Sequence, residues 1–142
     1  MSQVSDSFQP TSFSPTPLPI LKIKFNVQRP NGALFEIMEE FYVDTGFTGD
    51  LKLPQSLGSR LKGMGIGGIT ELVTVANGIT KNEIFQAEIT EIVLNNTNIL
   101  TGSQPCTISC MGGNNTANLV GLNALRNWKI CMDLPQQILS IE

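Results

Sequence analysis

From residue 21 onward apolar and polar side chains alternate. Leu21, Ile23, Phe25 and Val27 are separated by Lys22, Lys24 and Asn26, the period-two pattern of a half-buried strand. Pro30-Asn31-Gly32 interrupts the pattern, and its Asn-Gly dipeptide accepts the positive backbone angles of a tight hairpin. A return strand is predicted over residues 33–43, ending on Phe41-Tyr42-Val43. After Pro54, residues 56–61 suit a short turn or helix. Residues 69–76, rich in Ile, Val and Thr, predict another strand, and Asn77-Gly78 repeats the hairpin signal, with Ile79 beyond it. Phe85, Ala87 and Ile89 alternate with Gln86, Glu88 and Thr90, and this strand runs to Leu94 before Asn95-Asn96-Thr97-Asn98 turns the chain. Further strands are predicted at 107–111, at 128–134 with Ile130, Met132 and Leu134 on one face, and at 138–141. Between them, residues 122–127 read as one helical turn.

Residues 1–19 lack this order. They are rich in Ser, Thr and Pro, and Pro10, Pro15, Pro17 and Pro19 remove backbone donors, so a mobile, extended tail is expected. A removable leader with Phe8 and Phe13 as apolar anchors is the functional alternative for this segment. The ordered domain is then residues 20–142. One all-β domain of closed-barrel-like form, with a single short C-terminal helix, accounts for the whole pattern.

Gly63-Met64-Gly65-Ile66-Gly67-Gly68 contains a literal G-x-G-x-x-G. That fingerprint needs a strand before it and a helix after it, whereas a strand pattern follows here. A mobile loop is expected in its place, and no dinucleotide.

Charge and composition narrow the chemistry. The 142 residues carry 12 acidic and 9 basic side chains with no dense cationic patch, which disfavours nucleic acid. Histidine is absent, removing Ser-His and Cys-His nucleophile pairs and His-containing zinc sites. Cys106, Cys110 and Cys131 are an odd set of three, too few for a closed zinc site and best read as reduced, packed thiols. No metal or other cofactor is expected. No apolar run approaches a membrane span and the N-terminus carries no export signal pattern, so the expected location is the cytoplasm. Asn95 and Asn114 each begin a glycosylation sequon; in that location both serve as turn residues.

Carboxylate chemistry remains, and one carboxylate is unusually placed. Asp44 follows Phe41-Tyr42-Val43 and precedes Thr45-Gly46-Phe47-Thr48-Gly49, so it is delivered to a sharp turn at the end of an interior strand, where ionisation needs hydrogen bonds or a shared proton. The glycines allow close backbone approach, and Thr45 and Thr48 supply hydroxyls. A carboxylate that merely caps a tight turn is the structural alternative.

With its apolar lead, Asp44-Thr45-Gly46 resembles the signature of the retropepsin-like aspartic proteases, and Leu119-Val120-Gly121-Leu122-Asn123-Ala124-Leu125 resembles the family's apolar-apolar-Gly-x-(Asn or Asp)-x-Leu segment. The likeness runs in order from about residue 20 to the C-terminus. It implies an acid-protease subunit that works as a homodimer on a peptide or protein substrate. Asp44 would be catalytic, Thr45 would brace the pair of active-site loops, Gly46 would let them approach, and Thr48 would lie beside the outer carboxylate oxygen. Gly121 and Asn123 would support the loop. Ala76, Asn77 and Gly78 would form the tip of a flap over the substrate, with residues 65–68 as the rival tip. In retroviral members terminal strands like residues 138–141 build the dimer interface. Phe47 departs from the usual Ala or Ser; bacterial-type members carry aromatics there, and its ring would narrow a subsite or pack in the core. The competing reading is a catalytically silent member of the fold, acting as a dimerisation or peptide-binding module.

Overall fold

The computed structural model describes residues 3–76, 78–112 and 117–142. Its strands, in chain order, are β1 (Val4–Ser7), β2 (Gln9–Thr11), β3 (Ser14–Leu18), β4 (Ile20–Gln28), β5 (Leu34–Val43) and β6 (Leu51–Pro54). After the helix α1 (Gln55–Gly63) come β7 (Ile69–Val75), β8 (Gly78–Leu94), β9 (Thr97–Asn98), β10 (Gln104–Met111), β11 (Leu119–Val120), β12 (Ile130–Asp133) and β13 (Ile138–Ile141). Six of them close on themselves in the order β10, β6, β11, β5, β4 and β8, with β8 pairing back to β10. Closure removes the exposed edges that an open sheet would present.

The first hairpin forms as the pattern predicts. Gln28 faces Leu34 across a turn in which Gly32 has φ +85°, and Asn31 Oδ1 accepts from the Ala33 N–H at 2.9 Å. The alternating residues Leu21, Ile23, Phe25 and Val27 are all buried. They meet Phe41, Val43, Phe85, Ile89 and Ile108 in one core, where the Phe25 and Phe41 rings pack edge to face at 6.2 Å. Ile89 and Ile92 are both fully buried although their spacing breaks the alternation. A register shift opposite Lys24 and Phe25 reconciles them, because one extra residue on β8 turns the following side chains over.

Two expectations are corrected. Residues 122–127 are turns, and the α-helix lies at Gln55–Gly63. The Asn123 and Ala124 carbonyls, which a helix would pair four residues on, accept instead from Arg126 Nη1 and Gln104 Nε2, and the Trp128 N–H returns only to Leu125. By contrast α1 buries Leu57 and Leu61 on one face, and Gly58 lies so close to β10 that a Cβ there would come 2.9 Å from Cys110 Cβ. Its end is closed by the Ile66 N–H donating to Leu61 O and by Gly65 at φ +79°. The glycine-rich segment is thus the stop of a helix and the lead into β7. Ile66 is buried, and Gly68 packs against Phe85.

The second correction concerns the start of the chain. As far as residues 1–19 are described, they are paired strands rather than a free tail. β1 runs antiparallel to β13, while β2 and β3 form a separate two-stranded ribbon. Pro10, Pro15 and Pro17 fall on that ribbon, where few inward donors are required. Val4 and Phe8 pack against the core, and the Phe8 N–H donates to Gln137 O at 2.8 Å. Two smaller differences follow from exposure: Leu134 lies past the end of β12 and is 68% exposed, and Cys131 is exposed rather than packed. Asn114, with Gly113 and Asn115, lies outside the described residues.

Candidate active site

Asp44 stands one residue past β5, half-buried. Its N–H donates to Val120 O at 3.1 Å, which extends the parallel pairing of β5 with β11 by one rung. The chain then folds over: the Phe47 N–H donates to Asp44 O at 3.1 Å, and the Gly46 N–H donates to Asp44 Oδ1 at 2.9 Å. A backbone donor two residues on therefore orients the carboxylate. A Cβ on Gly46 would lie 3.2 Å from that same oxygen, so glycine keeps it accessible. Thr45 and Thr48 are exposed on the loop.

The loop is fastened from below by residues 121–123. Gly121, Leu122 and Asn123 donate their N–H groups to Asp50 O, Phe47 O and Gly49 O at 2.8, 2.9 and 3.3 Å. Three successive amides thus hold three of the four carbonyls that follow the Asp-Thr-Gly, those of Phe47, Gly49 and Asp50. Glycine is required at 121, since a Cβ there would run into the Gly49 carbonyl and lie 2.6 Å from Phe47 O. The Phe47 ring covers the same spot, 2.7 Å from where a Gly49 Cβ would stand. It packs against the two glycines.

Sequence reasoning missed Asp50. Only 6% exposed, it accepts from Asn123 Nδ2 at Oδ1 (2.7 Å) and from the Thr107 N–H at Oδ2 (2.9 Å), with Thr107 Oγ1 3.4 Å away. It ties the loop that carries Asp44, β10 and the 121–123 turn together. Its signal was an acid directly before the buried run Leu51-Lys52-Leu53, where an unpaired carboxylate would be costly.

Neighbouring groups respond to the same burial. Burial pushes the Cys106 and Cys110 thiols up to about 12, with Asp50 adding to the rise at Cys106 and Glu83 to that at Cys110. Burial also lowers the Lys52 pKa, and this ammonium donates to Ala117 O at 3.3 Å. Asp44 itself opens onto a groove of about 550 Å³, lined mainly by apolar side chains including Val120, Leu122, Leu125, Trp128 and Met132, with Arg126 at its margin.

Ala76 and Gly78 belong to the tip of the β7–β8 hairpin, in which Val75 pairs with Gly78; Asn77 lies outside the described residues. Residues 65–68 form no hairpin tip, being the end of α1 and its connector.

No family model matches the chain, and no curated protein matches it. Among solved structures it is similar to a retropepsin-like aspartic protease from Rickettsia conorii, with a TM-score of 0.53 and 17% identity over 99% of this chain and 98% of that one. The fold is retropepsin-like. At this identity the likeness speaks for architecture alone, and the retropepsin-like barrel is what carries Asp44 to the open end of β5. No described helix is long and apolar enough to cross a membrane.

Proposed function

We propose that this chain is an aspartic endopeptidase whose catalytic pair is Asp44 from each of two copies. The observation that carries the reading is the setting of Asp44: a half-buried carboxylate at a strand end, oriented by the Gly46 amide at 2.9 Å and opening onto an apolar groove. A carboxylate that only capped a turn would not need the loop beneath it clamped by three amides and a buried acid.

Peptide hydrolysis needs a base to activate water and an acid to protonate the leaving nitrogen. Two adjacent carboxylates cannot both ionise and so share one proton, which lets one member act as base while the other acts as acid. The chain contains one Asp-Thr-Gly, so the second carboxylate comes from a second copy. Water held between the two Asp44 groups attacks the peptide carbonyl directly, without a covalent intermediate. Thr45 braces the paired loops, and Thr48 contacts the outer carboxylate oxygen. The substrate lies extended beneath the β7–β8 hairpin as an added strand, with alternate side chains in apolar pockets. The reaction requires no cofactor.

The test is cleavage of a diverse peptide mixture over a range of pH and protein concentration, read by mass. Cleavage abolished by Asp44→Asn and rising more steeply than linearly with protein concentration is the expected result. Absence of cleavage by a folded, dimeric protein would favour a silent peptide-binding module instead.

A further inference from the structure

A second cleft, sharing no described residue with the groove at Asp44, lies between the β2–β3 ribbon, β5 and α1 and has a volume of about 340 Å³. That is the lower end of the range for small-molecule sites, with room for one large side chain and its backbone but not for an extended peptide. Its apolar part includes Phe13 from the ribbon turn, Ile37 from β5 and Leu57 from α1; Leu57 is buried and the other two are half-buried. Ser12 and Ser56, both exposed, add hydroxyls. The ribbon strands pair with each other and not with the barrel, so Ser12 and Phe13 form a wall that belongs to no barrel strand.

The charged lining of this cleft is one acid, Glu39 of β5, and one base, Arg60 of α1. Both are exposed, and among the described residues neither forms an ion pair with the other or with anything else. Opposite charges that line one cleft without meeting leave space for a ligand that answers both. Arg60 is also held in place. Its guanidinium lies 5.5 Å from the centre of the Phe35 ring, and Phe35 shares its face of β5 with Ile37. Arg29 leans on the same ring at 5.9 Å, with its Nε buried and without a partner among the described residues. The Arg60 end of the cleft thus carries an excess of positive charge, which an anionic group would relieve.

We infer that this cleft binds a free apolar α-amino acid, its carboxylate on Arg60, its ammonium on Glu39 and its side chain among Phe13, Ile37 and Leu57. An α-amino acid carries both charges on one carbon beside an apolar group. A residue within a peptide carries neither charge, and a chain terminus carries only one. The guanidinium fork takes the carboxylate through two parallel N–H donors. Burial of the ligand side chain supplies most of the affinity, while the two charge contacts, each modest at an exposed site, set the selectivity. A dissociation constant on the order of 1 mM is expected for a ligand of this size. The inference is independent of the protease reading, because none of the residues around Asp44 takes part.

The experiment titrates the full chain, labelled with nitrogen-15, with L-phenylalanine and follows its amide resonances. The expected result is saturable binding that moves the amides of Ser12, Phe13, Ser56 and Arg60 and leaves those of Thr45 and Gly46 in place. No saturation at ten times the expected dissociation constant would overturn the inference, and so would shifts centred on Thr45 and Gly46. Two probes each lack one charge: 3-phenylpropanoate has no ammonium and 2-phenylethylamine no carboxylate. Both should bind at least fivefold more weakly than L-phenylalanine, and equal binding of either would remove the two-charge recognition on which the inference stands. Arg60→Gln and Glu39→Gln, at exposed positions, should each weaken L-phenylalanine at least fivefold; unchanged affinity in either would overturn its assigned contact and the inference with it. Asp44→Asn should bind as the parent does. Loss of binding in that variant would move the ligand to the groove and overturn the inference, whereas a parent that binds L-phenylalanine here and cleaves nothing supports it and removes the protease reading alone.

Discussion

Asn123 Nδ2 donates to Asp50 Oδ1 at 2.7 Å, joining the turn after β11 to the last residue of the loop that carries Asp44 across 73 positions of chain. The Asn123 N–H also reaches Gly49 O, so one residue fixes both the backbone and the buried acid of that loop. Asn123→Ala removes a donor from a carboxylate that has little water to replace it. Hydrogen bonds to charged groups contribute about 1.5–3 kcal/mol, and a loss in that range should appear in the urea midpoint. Peptide cleavage should fall further than stability does, because the loop bearing Asp44 loses an anchor. Asn123→Asp should be worse than Ala, since it sets a second carboxylate against Asp50.

Gly121 is the most tightly enclosed position of the site. In Gly121→Ala the new methyl meets the carbonyls of Phe47 and Gly49, both already bonded to residues 121–123. Neither can move without breaking a loop hydrogen bond. Overpacking of this kind costs about 1–3 kcal/mol, so a lowered thermal midpoint and strongly reduced cleavage are expected. Gly63→Ala, where a Cβ meets nothing within 4 Å, is the matched control and should leave cleavage unchanged.

The two buried thiols give a dependence of stability on pH with a definite sign. Cys106 and Cys110 are raised from an ordinary value of 9.0 to about 12. Their contribution is complete below about pH 9 and is lost as pH rises toward 12, because the unfolded thiols ionise first. Each thiol then costs about 1.4 kcal/mol per pH unit within that window. Lys52, whose pKa burial lowers, opposes this trend in part. Urea midpoints should fall between pH 8.5 and 10.5, and the fall should shrink in Cys106→Ala/Cys110→Ala. In the native protein a thiol reagent at pH 8 should modify Cys131 fast and the other two slowly, since only Cys131 is exposed.

The parts of this fold visible in the sequence are those set by neighbours. The β4–β5 hairpin was legible because Asn31-Gly32 fixes the turn and period-two burial fixes both arms. The placement of Asp44 at a strand end was legible because Phe41-Tyr42-Val43 is an apolar run that delivers the next residue to a turn. What escaped depends on partners far along the chain. β1 is a strand because β13 supplies its ladder, and nothing in its own Ser-rich composition announces that. Residues 122–127 carry a helical pattern, yet Gln104 and Arg126 take the carbonyls a helix would use. Asp50 falls in the same class, its meaning resting on Thr107 and Asn123.

Lys62 Nζ lies 2.6 Å from Glu83 Oε2, and the Glu83 side chain is only 6% exposed. The pair joins the end of α1 to β8, just where the β7–β8 hairpin leaves the barrel. Lys62→Met would leave a buried carboxylate without its cation. The penalty is reduced by the half-exposed lysine, and about 2 kcal/mol is expected. Glu83→Gln together with Lys62→Met should recover most of it, which a double-mutant cycle by denaturant titration would measure.

The β7–β8 hairpin carries the prediction that bears most directly on substrate. Leu72 opposes Lys81, and Thr74 opposes Ile79, so Leu72 and Ile79 lie diagonally on one face of the ribbon. They are 70% and 71% exposed, well beyond what a free-standing surface hairpin requires of two aliphatic side chains. As the underside of a flap they would rest on an extended peptide. Leu72→Ser and Ile79→Ser should therefore leave the unfolding midpoint within about 0.5 kcal/mol of the parent, as exposed substitutions generally do. Both should raise KM for peptide cleavage several-fold. Thr74→Ser, on the same face but without large apolar area, should change neither. Unaltered KM in both aliphatic variants would mean that this face does not touch the substrate, and the opposite face, with Glu71 and Val73, would become the one to test.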